Sequence, residues 1–276
     1  MQNFHLYLIS DATGETVQSV SRACLAQFPD IKPTEHLWTM IRSEAQVDDV
    51  IASLTEKPGF VLFTLVNPDI RRRLVSACRR RQVPCVSVLQ PTMAAFGDYL
   101  KIDVQAKPGR QHALDSDYYS RIDAMDFALA HDDGQAIWNL NEADVVILGV
   151  SRTSKTPTSI YLANRSVKAA NIPIILDCEP PKEVFRLDKP LIVGLVKSPK
   201  SLAQVRRNRL RILNEDEQAE YANPEIVAEE VNFANRLFAR QGWPVIDVTR
   251  RSIEETAAEI LRLRATHLER DAERVG

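Results

Sequence analysis

The sequence predicts an α/β protein with two open parallel-sheet domains in series, the second built around a phosphate-binding loop. Three observations predict it. Short apolar, β-rich runs alternate with helical spacings, once from residue 1 to about 100 and again from about 141 onward, and this alternation implies βαβ units with parallel pairing. A polar stretch, residues 104–116 (VQAKPGRQHALDS), interrupts the two series and carries Pro108 and Gly109. An apolar strand then runs straight into Gly149, and Lys155-Thr156 open a helix, which is the strand–loop–helix context of a P-loop. The expected division is an N-terminal α/β domain over residues 1–103, a linker and connecting helix over 104–140, and a nucleotide-binding catalytic domain over 141–276.

In the first series, Phe4–Ser10 is short and β-rich, and Glu15–Phe28 has helical spacing through Val17, Val20, Ala23, Cys24 and Gln27. His36–Ile41 reads as a strand, and Ser43-Glu44 is a capping-type start for a helix through Val47, Val50, Ile51 and Leu54. Phe60–Val66 is a continuous apolar run, as a strand covered on both faces would be. Pro68 suits the first turn of a helix through Ile70, Leu74 and Cys78, and Val83–Leu89 is a fourth strand.

After the polar stretch a helix is expected over Tyr118–Ala130, stopping at Gly134. The pattern then restarts with a strand Ala143–Val150, a helix Lys155–Ala170, and strands Ile172–Asp177 and Leu191–Val196. Helices over Ser201–Leu210 and Pro224–Gln241, a short strand Pro244–Val248 and a helix Ser252–Thr266 complete it; Ser252 with Glu255 forms a capping box.

Bulk properties narrow the function. The 276 residues are 45% hydrophobic and 26% charged, an ordinary globular balance with enough apolar material for a real core. A net charge of -2 argues against nucleic acid as a partner, and no stretch approaches the length a membrane helix needs. The apolar run at the N-terminus has no basic start and reads as a strand, not a signal peptide. Cys24, Cys78, Cys85 and Cys178 form no C-x-x-C pair, so the expectation is reduced, buried thiols in a cytoplasmic protein. Arginine clusters at Arg71–Arg73, Arg79–Arg81 and Arg206, Arg207, Arg209 and Arg211. The simpler reading is solvated helix faces; the sharper one is docking of phosphate or an acidic partner, best suited to the last cluster.

The strongest local signal is Gly149-Val150-Ser151-Arg152-Thr153-Ser154-Lys155-Thr156. Backbone N–H groups at a helix start point at phosphate oxygens, and the helix dipole favours negative charge there. A lysine after the loop meets the β/γ-phosphates, and a following hydroxyl ligates magnesium. Ser154 stands where the P-loop pattern has glycine, so a differently shaped loop is expected. Arg152 offers a guanidinium clamp on phosphate. Asp177, at the end of the strand after the loop's helix, is the leading candidate for the metal carboxylate; otherwise it caps the turn before Pro180-Pro181. His131-Asp132-Asp133 could position a nucleophile or a second magnesium ion, although spacing alone favours a polar helix end. The other histidines, His5, His36, His112 and His267, show no metal-ligand spacing. Ser10–Thr16 lies where open α/β sheets bind ligands, just past a strand's carboxyl end, and an N-capped helix start is the simpler reading of it.

Together these residues resemble a known family. Gly149–Thr156 followed by Pro157-Thr158-Ser159, Tyr161-Leu162-Ala163-Asn164-Arg165 and Lys168–Pro173 closely resembles the bacterial and plant pyruvate, phosphate dikinase regulatory proteins, to which the phosphoenolpyruvate synthase regulatory proteins are related. Ser10–Thr16, Tyr118–Met125 with His131–Gly134, and Gly242–Thr249 with Ser252–Ala257 match as well, so the resemblance spans nearly the whole chain. Ala12 departs from the glycine or serine expected after Ser10-Asp11, whereas Ser154 fits the dikinase-type branch.

The resemblance implies a P-loop, kinase-like second domain and a bifunctional regulator. It would inactivate the dikinase by ADP-dependent phosphorylation of a threonine, and reactivate it by phosphate-dependent removal of that group with release of pyrophosphate. On that expectation Gly149–Thr156 cradles the ADP phosphates, Lys155 neutralises developing charge, Thr156 and Asp177 position Mg2+, and a carboxylate from Asp132, Asp133 or Asp11 orients the attacking group. The expected partner is pyruvate, phosphate dikinase, with phosphoenolpyruvate synthase as the alternative. Rival readings are a P-loop kinase for a small metabolite, a non-catalytic nucleotide sensor, and a nucleic-acid binder using the arginine clusters. Oligomeric state stays open, a homodimer included.

Overall fold

A computed structural model describes residues 3–109, 116–213 and 220–275. The chain divides into two compact units, residues 1–113 and 114–276. The expected stretch around His112, Gln111 to Asp115, lies outside the described residues.

In the first unit, β1 (His5–Ile9), β2 (Thr34–Trp38), β3 (Gly59–Phe63) and β4 (Cys85–Ser87) form a parallel sheet of order β2-β1-β3-β4. α1 (Glu15–Leu25), α2 (Glu44–Glu56) and α3 (Pro68–Arg80) follow the first three strands. Period-two alternation sends Tyr7, Ile9, Val61 and Phe63 to one face, against Val47, Val50, Leu54, Ile70 and Leu74. Leu6 and Leu8 go to the other face, against Val17. The Ser43 start is a capping box, closed by Gln46. The expected strands His36–Ile41 and Val83–Leu89 are displaced or shortened, and α4 (Gln90–Leu100) is an addition. It buries none of its residues, so it leaves no apolar period in the sequence; Pro91 in its first turn is the one local cue.

The second unit opens with α5 (Ser116–Ala130). Its parallel sheet has order β6-β5-β7-β8, formed by β5 (Val145–Gly149), β6 (Ala169–Pro173), β7 (Leu191–Val196) and β8 (Val245–Asp247). β5 is buried at every position. One face packs Val146, Leu148 and Ile192 under α7 (Pro199–Leu213) and α8 (Pro224–Gln241), through Leu202, Val227, Val231 and Phe238. The other packs Val145, Ile147 and Val193 under α6 (Lys155–Ala163) and α9 (Ile253–Val275), through Leu162, Ala257 and Ile260. The Ser252–Glu255 box before α9 is reciprocal: Ser252 N donates to Glu255 Oε2 at 2.8 Å, and Glu255 N to Ser252 Oγ at 3.1 Å.

Two expectations here need correcting. The helix expected over Lys155–Ala170 ends at Ala163, and β6 begins at Ala169 where Ile172–Asp177 was expected. Ala169-Ala170 has strong helix propensity, yet both side chains are fully buried in the sheet core and Ser166 (φ 60°) turns the chain beforehand, so tertiary burial overrides propensity. Nor is the helix before Gly134 a connector: α5 packs Ala124 and Ala128 against Ala163, inside the second unit.

Both sheets run in the same order from the same kind of start. Five residues, 10–14 and 150–154, lead from the first strand into the next helix, and the last of each is left-handed, Gly14 at φ 88° and Ser154 at φ 65°.

Gly194 in β7 fixes the distance between sheet and α8, because a Cβ there would stand 2.5 Å from two ring carbons of Phe238. Gly194→Ala is expected to destabilise the second unit by about 1–3 kcal/mol through overpacking. Thermal denaturation checks this as a lowered midpoint for that unit with the first unit unchanged.

Candidate functional site

β5 ends at Gly149 because nothing larger fits. A Cβ there would meet Leu195 O and Thr153 Oγ1, each at 2.7 Å. The loop then folds on itself: buried Thr153 donates its hydroxyl to Val150 O at 2.9 Å. Arg152 (φ 74°) and Ser154 (φ 65°) are both left-handed, a conformation costing a non-glycine residue about 1–2 kcal/mol. Ser154 therefore supplies the left-handed backbone that glycine would supply at that position. Such strain held in place is a feature of ligand sites. Ser154 is also the N-cap of α6 and makes no side-chain capping bond, so no capping side chain covers the first-turn amides at the positive end of the helix dipole.

Lys155 curls back under the loop. It is 6% exposed, and its Nζ donates to Val150 O at 3.3 Å. Burial pushes its pKa down to about 8; Asp133 and Asp132 pull it back up, and Arg206 and Arg152 oppose them.

Asp132 and Asp133 follow closely on the end of α5, as expected, but they are more than a polar helix end. They form a turn beside the start of α6, with Asp133 at φ 53° and Gly134 at φ 77°. Asn171 of β6, 1% exposed, holds that turn in place. Its backbone N donates to His131 O at 3.0 Å, and its Oδ1 accepts from Asp133 N at 3.1 Å. Its Nδ2 donates to Asp132 Oδ1 and, at 3.2 Å, to Thr156 Oγ1. Thr156 donates its own hydroxyl to Asp132 Oδ1 at 2.8 Å. His131 is buried and stacked on Phe127 at 3.7 Å, with Nδ1 at 2.8 Å from Phe127 O and Nε2 at 2.6 Å from Asn139 Oδ1; it anchors the turn from behind. Asn171 carries no local signal of its chemistry, standing between the expected helix Lys155–Ala170 and the expected strand Ile172–Asp177.

A cavity of about 380 Å³ opens over this constellation. Asp132, Asp133, Arg152, Lys155, Thr156 and Lys197 line it, together with Ser151 and Ser154. Asp177 does not line it. With β6 ending at Pro173, Asp177 falls in the exposed turn closed by the Ile175–Cys178 bridge, at φ 57°. The carboxylate that meets Thr156 is Asp132. Among the described residues, no group of three or more His, Cys, Asp or Glu is arranged to hold a metal. Thr156 with Asp132 still suits magnesium, which takes one or two protein oxygens and completes its shell with phosphate and water.

Other expectations sort as follows. Arg73 lies on a solvated face, paired with Asp48 at 2.7 Å and Glu44 at 2.9 Å. Arg206 is fully buried, against the reading of its cluster as a solvated face. Cys24 and Cys178 are exposed, not buried. No helix among the described residues is long and apolar enough to cross a membrane. The Ser10–Thr16 loop lines a smaller cavity of about 150 Å³ with Thr64 and Lys107. Asp11 there is 4% exposed; burial raises its pKa, and the bond from Val66 N to Oδ2, 2.8 Å, lowers it. Glu15 and Ala12 occupy the loop positions that Lys155 and Arg152 occupy in the second unit.

Comparison with known proteins follows the same outline. The family model described as kinase/pyrophosphorylase matches residues 6–261. A protein of Paramagnetospirillum magneticum named as a pyruvate, phosphate dikinase regulatory protein is 55% identical over 270 residues, 98% of this chain and 87% of its own. Proteins of the same name from Rhodospirillum rubrum and Rhizorhabdus wittichii are 53% and 51% identical, each over 95% of this chain and over 95% and 96% of their own lengths.

Lys155 sets a pH dependence. Its charge is complete well below pH 8 and is lost as pH rises through about 8. Affinity of the unliganded protein for inorganic phosphate or ADP, measured by calorimetry, is expected to fall above that point. Lys155→Arg, whose guanidinium stays charged, should abolish the inflection. The linked stability runs the other way: between about 8 and the ordinary 10.5 the unfolded chain binds the extra proton, so this group makes folding more favourable as pH rises.

Proposed function

The chain belongs to the kinase/pyrophosphorylase family, and from that premise we propose that it regulates pyruvate, phosphate dikinase by reversible phosphorylation of a threonine, with ADP as donor and inorganic phosphate as acceptor. The observation that carries this reading is the meeting of Lys155, Thr156 and the Asp132-Asp133 turn around one strained loop. The names of the relatives favour the dikinase over phosphoenolpyruvate synthase as target.

Both directions need the same anchor. In the forward direction the bond from the β-phosphorus of ADP to its bridging oxygen breaks, a bond from that phosphorus to the threonine oxygen forms, and AMP leaves. In the return direction the oxygen of an inorganic phosphate attacks the phosphothreonine, the P–O bond to threonine breaks, and pyrophosphate leaves. A phosphate held by the loop amides is the leaving group's α-phosphate in the first case and the nucleophile in the second. Lys155 at the loop neutralises charge on the group in transit, and Arg152 holds phosphate oxygens at the cavity mouth. Asp133, exposed on the cavity rim, takes the proton of the threonine hydroxyl and returns it in the reverse step. Thr156 and Asp132 would hold magnesium, which supplies charge neutralisation between the phosphates when bound. Asn171 keeps Asp132 and Thr156 in register.

The test is to incubate the protein with purified dikinase and ADP and seek phosphothreonine and AMP by mass spectrometry, then add phosphate and assay pyrophosphate. Turnover of ADP with metabolites but no protein substrate would replace this reading with a metabolite kinase. Lys155→Ala is expected to abolish both directions with the circular dichroism spectrum unchanged; a folded variant with wild-type phosphorylation overturns its role. Asp133→Asn should cut the phosphorylation rate about 10²–10⁴-fold, the usual contribution of a positioned base, without changing ADP affinity.

A further inference from the structure

Arg206 heads the largest fully buried side chains among the described residues, and its guanidinium ties three segments together. Nη1 donates to Tyr221 O at 2.9 Å. Nη2 donates to Ser151 O in the loop at 3.3 Å and to Glu230 Oε2 on α8 at 2.5 Å. The guanidinium carbon also lies 4.5 Å from the centroid of the Tyr221 ring. Arg206 therefore lays the short 3-10 turn Glu220–Ala222 against the loop and neutralises its own charge on Glu230.

Tyr221 turns that support toward the cavity. Arg152 Nε donates to the Tyr221 phenol oxygen at 3.2 Å, and the phenol stands 3.0 Å from Ser151 Oγ. Because a guanidinium can only donate, the phenol accepts from Arg152, and between the phenol and the Ser151 hydroxyl either group can be the donor. Among the described residues, no carboxylate pairs with Arg152. A phenol orients a guanidinium without neutralising it, so the outer N–H groups keep their full charge for a ligand. Arg152 and Lys155 line one cavity together.

We propose that Tyr221 is a positioning residue for the phosphate site: seated by Arg206, it holds the Arg152 fork at the cavity mouth in the geometry that takes two phosphate oxygens at once. The proposal rests on the reading of Gly149–Thr156 as the ADP loop. It concerns binding and not the transfer step, because Tyr221 touches the arm that holds phosphate and not the groups placed at the reacting oxygen. The counterpart loop of the first unit has Ala12 where Arg152 stands and so has no arm to seat.

The test is a double-mutant cycle on the full chain, with ADP affinity by calorimetry and steady-state kinetics on the dikinase. Tyr221→Phe keeps the ring over Arg206 and removes only the hydroxyl. It should weaken ADP binding about tenfold, the scale of one hydrogen bond to a charged group, with kcat at saturating ADP within about twofold of wild type. Arg152→Ala should weaken binding at least as much, and the double variant should be no weaker than Arg152→Ala alone. In an Arg152→Lys background, where the fork is gone, Tyr221→Phe should change nothing. Wild-type affinity in Tyr221→Phe, or losses that multiply in the double variant, overturns the assignment while leaving the loop's role intact. Wild-type protein that binds neither ADP nor phosphate overturns the reading of the loop and this assignment with it. Should Tyr221→Phe melt early, the comparison in the Arg152→Lys background, made well below both midpoints, still decides.

Discussion

β5 has nowhere to go beyond Gly149. It is buried at all five positions between β6 and β7, and the Leu195 carbonyl closes off any side chain at its last residue. The chain must leave the sheet and enter α6 within five residues, and two of them, Arg152 and Ser154, adopt left-handed backbone to do so. Everything chemical at the site follows from that turn. It leaves the first-turn amides of α6 uncapped, brings Lys155 back beneath Val150, and puts Thr156 beside β6, where Asn171 and Asp132 meet it. The strain costs a few kcal/mol at most, small beside the burial of a central strand, so the core holds the loop in a shape it would not keep alone.

Lys155 shows the balance this creates. Removing a cation from water disfavours the charge, and two carboxylates across the cavity restore part of it. The ammonium is thus poorly solvated and incompletely paired before any ligand arrives. On the proposed reading, a phosphate bound there would supply the missing partner and raise the lysine's proton affinity, so that binding and charge reinforce each other, and the same cation would serve whichever phosphate occupies the anchor.

The loop itself was legible in the sequence, because strand, glycine, lysine and hydroxyl stand in order along one short segment. So were most elements with a strong apolar period: β7 and α8 fall where spacing puts them. What escaped was whatever depended on residues far apart in the chain. Asp132 looked like a helix end because nothing local reveals that β6 runs beside it. Asp177 looked like the metal carboxylate because Ala169-Ala170 reads as helix until the sheet buries it, which moves the strand end back to Pro173. Arg206 looked solvated because a run of arginines gives no hint that one of them faces inward onto Glu230 and a tyrosine. α4 escaped for the opposite reason, since it packs nothing away and so shows no period.

The two sheets share their order and their five-residue passage from first strand to helix. Such tandem likeness is what duplication of an ancestral half would leave. The halves share that order and the final left-handed step of the loop, yet they differ in their connections, α2 joining β2 to β3 where, among the described residues, no α-helix joins β6 to β7, and in charge, Lys155 against Glu15 and Arg152 against Ala12. The backbone of a phosphate cradle is then inherited cheaply and kept wherever the sheet demands it. On the proposed reading a cradle would become a phosphate site only in the copy that also carries its cations, so the residue at the helix's first position says more about the ligand than the shape of the loop does.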